Sequence, residues 1–162
     1  MQIKFPFEAQ KPIAGEASVD IDKAVDQVFS YVGERFFDNY PKWANEIVEF
    51  EPLDGKDVFV GAKAKQIRKD NDAEVESVFE IVEYQPKTRL SFQGITEPYK
   101  HCYVLATGTS GQDKPTRLTF RFEFLELDLF MRPFEKLIRC AIEDGAETTV
   151  ENIKNLILLD CN

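Results

Sequence analysis

The stretch Thr116-Arg117-Leu118-Thr119-Phe120-Arg121-Phe122-Glu123-Phe124 decides the fold. Leu118, Phe120, Phe122 and Phe124 occupy every second position, and Arg117, Thr119, Arg121 and Glu123 lie between them. Successive side chains of a strand point to opposite faces, so this segment has one dry face and one wet face. The strand is expected over 116–127. A sheet that is dry on one side only needs a second layer to cover that side.

The covering layer follows directly in the chain. From about Phe130 to Leu159, the residues Phe134, Leu137, Ile138, Ala141, Ile142, Ile153, Leu156 and Ile157 form an apolar stripe at helical spacing. Pro133 sits at the first turn, where a missing N–H costs little. At 1.5 Å per residue such a helix is roughly 45 Å long. Its middle, 143–152, is weaker because it contains Gly145 and two threonines.

Upstream, strands are expected near 46–53, 61–69, 74–84, 89–95 and 100–107. Turns at Asp54-Gly55, Asp70-Asn71-Asp72, Gln85-Pro86 and Glu97-Pro98 punctuate them, with a longer loop from Gly108 to Pro115. Short connections between consecutive strands imply an antiparallel meander. An earlier strand, 14–21, alternates Ala17, Val19 and Ile21 with Glu16, Ser18 and Asp20. Between it and the meander, Val25, Val28, Phe29 and Val32 mark a short helix with Asp22 as its N-cap and Gly33 as its stop. A second short helix covers Phe36 to Trp43, with Pro41 tolerable only near a helix start. The expectation is an α+β fold: a curved seven-stranded antiparallel sheet wrapped around a long C-terminal helix, with two short helices after the first strand. Residues 1–13 read as an N-terminal extension and 14–162 as a single domain.

Composition narrows the function. The chain has 162 residues and a net charge of −9, from 20 Lys plus Arg against 29 Asp plus Glu. Nucleic acid binding draws on a basic face to neutralise phosphates, and none is visible. An anionic membrane is disfavoured on the same ground. The longest apolar runs, such as Cys102-Tyr103-Val104-Leu105-Ala106, fall far short of the ~20 residues of a spanning helix. The first eight residues do not read as a secretory signal. Cys102, Cys140 and Cys161 are odd in number and lack metal-like spacing, which suits a reducing, cytoplasmic setting. Cys102 and Cys140 read as small buried hydrophobes and Cys161 as exposed. Against 14 Phe there is one His, so any imidazole chemistry passes through His101.

The order of elements, together with Asp38-Asn39-Tyr40-Pro41-Lys42-Trp43-Ala44-Asn45-Glu46-Ile47-Val48-Glu49-Phe50-Glu51-Pro52-Leu53, resembles the SRPBCC superfamily. More narrowly it is similar to the START-like polyketide cyclase/dehydrase and lipid-transport group. Val60-Gly61, Glu83-Tyr84-Gln85-Pro86 and Leu118-Thr119-Phe120 add to the likeness, while Lys114-Pro115-Thr116-Arg117 lacks the glycine the family often carries there. The resemblance covers about residues 14–159. It implies a helix-grip fold with a deep apolar cavity between sheet and C-terminal helix, in a family whose members bind lipids, sterols or polyketides, cyclise them, or act within protein assemblies.

Several residues are candidates for the cavity. Phe79, Phe92, Tyr103, Phe120, Phe122 and Phe124 are expected as aromatic walls, or else as plain core. Gly145, which costs a helix interior about 1 kcal/mol relative to Ala, would with Ala141 and Ala146 leave room beneath the helix, or else mark a kink. His101 points inward if Tyr103 and Leu105 do, and as a lone imidazole without a nucleophile motif it reads more simply as a structural or rim residue. Two registers are open for the strand at 61–69. The family register turns Ala62, Ala64, Gln66 and Arg68 inward, giving the cavity an amide and a guanidinium; the other buries Ile67 and leaves Arg68 in solvent. Tyr40 and Trp43 match family positions that fix the short helices to the sheet. Glu74, Glu76, Glu80 and Glu83 read as a solvated face.

The expected function is binding of a hydrophobic or amphipathic small molecule, with no cofactor, no metal and no stable membrane insertion. An alternative is a cyclase, aromatase or dehydratase that uses Arg68, His101 or Tyr103. Another is a protein-interaction module whose cavity is filled by its own phenylalanines.

Overall fold

A computed structural model describes residues 12–70, 72–107, 115–127 and 129–161. Residues 1–11 of the expected extension, Asn71 of the expected 70–72 turn and residues 108–114 of the expected loop lie outside the described residues. Seven strands form one antiparallel sheet: β1 (Ile13–Ile21), β2 (Ile47–Pro52), β3 (Lys63–Asp70), β4 (Ala73–Gln85), β5 (Arg89–Gly94), β6 (Tyr99–Thr107) and β7 (Thr116–Phe124). Their order is β1-β7-β6-β5-β4-β3-β2, so the meander from β2 to β7 ends by placing β7 beside β1. The helices that follow β1, α1 (Val25–Phe29) and α2 (Phe36–Trp43), carry the chain from one edge of the sheet to the other. A 3₁₀ turn (Leu129–Phe134) leads into α3 (Glu135–Asp160), which lies on the concave face in the helix-grip arrangement.

Cross-strand registers align the dry face into rows. Phe122 of β7 stands opposite His101 of β6, and His101 opposite Phe92 of β5. Phe120, Tyr103 and Leu90 form the next row. Ala62, just before β3, and Ala64 and Gln66 on it are buried, with Gln66 opposite Ser77, and Ile67 is only half-buried. The inward register of β3 is therefore the one that turns Gln66 and Arg68 toward the helix.

Five local expectations are corrected. β7 ends at Phe124 rather than 127, and Leu127 instead packs with Ile13 and Ile142 in a separate small cluster. The first helix starts at Val25 with Ala24 as N-cap and no side-chain cap, so Asp22 plays no capping role. Gly33 does not stop that helix; it sits inside a π-helical turn, Ser30–Glu34, where a Cβ would come within 2.5 Å of the Phe29 ring. Pro41 lies well inside α2. Burial of Phe36, Phe37, Tyr40 and Trp43 on one side of that short helix offsets the lost backbone bond. The cysteines also change places: Cys140 is exposed and Cys161 is half-buried against the core.

α3 is unbroken through Gly145, where the Thr149 hydroxyl donates to the Gly145 carbonyl at 2.8 Å. At 26 residues it is roughly 39 Å long. Its buried residues, Ile142, Ala146, Val150, Ile153 and Ile157, form a stripe narrower than expected, and Phe134, Leu137 and Ala141 stay outside it. The helix touches β1 closely at Gly15, where a Cβ would meet Ile142 Cγ2 at 2.7 Å. Farther along the helix, at Gly145, a Cβ would meet nothing within 4 Å. Close contact at the β1 side and open space at Gly145 leave a gap under the helix.

Candidate functional site

That gap is a cavity of about 640 Å³. Its sheet wall is aromatic: Tyr99 and His101 from β6 with Phe120, Phe122 and Phe124 from β7. The period-two spacing of both strands puts them on one face. Tyr99 and Phe122 lie parallel, with centroids 6.4 Å apart and planes 3° apart. Opposite, α3 presents Ile138, Ala141, Ile142, Gly145 and Ala146, followed by Thr148, Thr149 and Asn152. The small ones among them, Ala141, Gly145 and Ala146, leave space between the helix and the five rings.

Tyr40 and Trp43 of α2 close one end with Asn45 and Glu46, and Gln66 and Arg68 of β3 stand beside them. The polar groups here are wired together. The Tyr40 hydroxyl donates to Gln66 Oε1 at 3.3 Å, and Gln66 Nε2 donates to Ser77 Oγ and to the Tyr99 hydroxyl, each at 3.3 Å. Trp43 Nε1 donates to the Tyr103 hydroxyl at 3.2 Å, and Asn152 Nδ2 donates to the Trp43 carbonyl at 3.2 Å, tying α3 to α2. Arg68 Nη2 lies 4.0 Å from Glu97 Oε2.

Burial raises the pKa of Tyr40 well above the ordinary phenol value, and it raises that of Tyr99 as well, so both hydroxyls keep their protons. His101 is held between Phe92 at 4.4 Å and Phe122 at 4.8 Å, centroid to centroid. Desolvation, and secondarily the Arg68 charge, push its pKa down to about 3. The imidazole is neutral at pH 7, and among the described residues its buried Nδ1 has no hydrogen-bond partner.

Of the residues expected at the cavity, Gln66, Arg68, His101, Phe120, Phe122, Phe124, Ala141 and Gly145 border it. Phe79, Phe92 and Tyr103 do not. Phe79 and Phe92 stack on each other at 4.1 Å and pack against Phe36 and Tyr40, which cover them. Tyr103 is buried beneath Trp43 and Phe120. The strand period put these three on the correct face. Which part of that face α2 would cover was not legible from it. Tyr99, Asn45, Glu46, Thr148, Thr149 and Asn152 also border the cavity; Tyr99 was accessible to the same alternation as His101, two residues on. No group of three or more His, Cys, Asp or Glu among the described residues is placed to hold a metal ion.

Residues 12–157 match the family model described as polyketide cyclase / dehydrase and lipid transport. The chain belongs to that family. This polyketide cyclase/dehydrase and lipid-transport domain, of the SRPBCC superfamily, has no match among curated proteins. It is similar in structure to TTHA0849 from Thermus thermophilus, with a TM-score of 0.71 at 14% identity, covering 92% of this chain and 99% of the other. The di-domain ARO/CYC StfQ from the steffimycin biosynthetic pathway aligns with a TM-score of 0.73 at 13% identity, over 98% of this chain and 54% of its own. Ara h 8.0201 aligns at 0.67 and 12% identity, over 92% and 99%. At such identities the likeness of this domain to these structures is one of fold. No helix among the described residues is long and apolar enough to cross a membrane.

Proposed function

We propose that this domain binds a hydrophobic or amphipathic small molecule, such as a lipid or polyketide-like compound, in the cavity between β6–β7 and α3. The observation that carries the reading is the empty space above Gly145, faced by five rings. The space opens to solvent, with Ala141 and Gly145 exposed along it, and an aromatic-lined cleft of this kind is a surface that an apolar ligand would cover. The volume falls within the roughly 300–1,000 Å³ of small-molecule pockets. Apolar burial at roughly 25 cal/mol per Å² supplies the affinity. The hydroxyl–amide relay of Tyr40, Gln66 and Tyr99, with Arg68 and His101, orients the polar end of the ligand.

Binding is favoured over acid–base turnover. A His101 with a pKa near 3 is a weak base at neutral pH, and general catalysis works best with a pKa near the operating value. Of the other two groups expected to act, Tyr103 lies behind the wall, while Arg68 borders the cavity. Native mass spectrometry of the purified chain is the direct test, with Gly145→Leu as comparison. Bound small molecule in the parent, and its loss in the variant with the fold kept, is the expected result. Unchanged occupancy in the variant removes the cavity as the binding site.

A further inference from the structure

Most of the polar side chains at the closed end of the cavity are met within the protein. Tyr40, Gln66, Ser77 and Tyr99 are bonded to one another, and Asn152 donates to the Trp43 carbonyl. Arg68 faces Glu97 at 4.0 Å. His101 is different. Its ring is set among four others, with centroids 4.4 Å from Phe92, 4.8 Å from Phe122, 5.3 Å from Phe120 and 5.4 Å from Tyr99. Among the described residues its Nδ1 is buried without a partner, whereas Nε2 is not covered in this way. The residue is half-buried and borders the cavity, so Nε2 is the nitrogen on the aromatic floor. A neutral imidazole carries one N–H and one lone pair. Orphaned buried N–H groups are rarer than under-used acceptors, which places the proton on Nε2 and the bare lone pair on Nδ1. In the open cleft that N–H faces water. An apolar molecule laid over it removes the water and returns nothing, a loss that a ligand oxygen at the same place avoids.

Charge decides what kind of oxygen this is. Among the described lining residues the charged side chains are Arg68 and Glu46, of opposite sign, and Glu97 adds a second carboxylate beside Arg68. The residues that α3 contributes to the lining are all uncharged, and the chain as a whole carries −9. A carboxylate brought to this end competes with Glu97 for the one guanidinium, meets Glu46, and is repelled at longer range by the net charge. We propose that the cavity selects uncharged apolar ligands that carry a carbonyl-type acceptor, a ketone, ester or amide, bonded to His101 Nε2, and that it discriminates against ligands ending in a carboxylate. His101 is then a specificity-determining residue: it holds the acceptor against the floor while the neighbouring rings take the apolar frame. This inference rests on the reading of the cavity as a binding site and names the chemistry that site takes.

Three probes that share one ring system test this on the full chain at neutral pH, read by quenching of Trp43 emission. 2-Acetonaphthone carries the carbonyl, 2-isopropenylnaphthalene has a methylene in its place, and 2-naphthoate is the anion. In the parent, 2-naphthoate should bind at least roughly tenfold more weakly than 2-acetonaphthone, the scale of several poorly screened charge contacts. His101→Phe should weaken 2-acetonaphthone by roughly threefold to tenfold relative to its effect on 2-isopropenylnaphthalene, which is what one neutral hydrogen bond contributes. Glu46→Gln with Glu97→Gln should narrow the gap between 2-naphthoate and 2-acetonaphthone. Circular dichroism checks that each variant keeps its fold. The proposal is overturned, with the cavity still a binding site, if 2-naphthoate binds the parent as tightly as the ketone. It is equally overturned if His101→Phe shifts ketone and hydrocarbon alike, or if the glutamate pair leaves the gap unchanged. Failure of all three probes to bind the parent overturns the binding reading and this inference with it.

Discussion

His101 sits where burial opposes charge. Its folded pKa of about 3 lies below the 6.5 of an unperturbed imidazole, so between these values the unfolded chain takes up a proton that the native state refuses. Stability is therefore full above pH 6.5 and falls as pH drops through that window, by up to about 1.4 kcal/mol per pH unit from this group. His101→Phe keeps a ring among Phe92, Phe120 and Phe122 and removes both the titration and the unmet Nδ1. Urea midpoints at pH 7 and pH 5 check this: the variant should be closer to parental at pH 7 and clearly more stable than the parent at pH 5. Equal pH dependence in the two proteins would show that the imidazole is not buried in its neutral form. The inward direction of His101 was legible from its distance of two residues to Tyr103. Its neutrality was not, because desolvation depends on Phe92 and Phe122, which strand pairing brings to it from other elements.

Among the elements, the segment joining β1 to β2 departs furthest from its sequence pattern. A glycine after an apolar run reads as a helix stop, yet Gly33 is in a π-helical turn, its missing side chain replaced by the Phe29 ring. Gly33→Ala should cost about 1–3 kcal/mol through overpacking, measurable as a lowered urea midpoint with an unchanged slope. The stacking that decides this is between residues four apart in a distorted turn, which ideal helical spacing does not anticipate. The far end of α3 is fastened from the same region: the Tyr31 hydroxyl donates to Asp160 Oδ2 at 3.0 Å and Lys23 Nζ donates to the Cys161 carbonyl at 2.9 Å. Tyr31→Phe should loosen that end alone, and hydrogen exchange should show faster amide exchange over the last turn of α3 than at Ile142. The expected strands lie close to the observed ones because a two-residue alternation is local and strong. α3 was legible as a helix, and Ile142, Ile153 and Ile157 of its expected stripe are buried, but its first part was not legible: Phe134 and Leu137 stay exposed, and Ala146 and Val150 complete the buried stripe where the helix presses on the sheet.

For the whole molecule, the single tryptophan is a reporter. Trp43 borders the cavity, lies 5.8 Å from the Tyr103 ring and donates to its hydroxyl. Titration with an apolar fluorescence-quenching ligand should change Trp43 emission saturably, and the ligand should raise the melting temperature. At a hundred times the dissociation constant the stabilisation is about 2.7 kcal/mol. A parallel titration of Gly145→Leu should show neither effect. The sequence by itself determined the architecture: alternation along 116–124 and the helical stripe after it specify a one-sided sheet and its covering helix, because each is a periodicity that the local chain carries. It also determined that Phe120, Phe122 and Phe124 share a face. Only the tertiary structure decided which of the inward-facing aromatic residues became cavity wall and which became core. That depends on where α2 lays Phe36 and Tyr40 over Phe79 and Phe92, and on how far α3 stands from the sheet at Gly145. Both are distances between elements remote in sequence, set by packing that no single segment encodes.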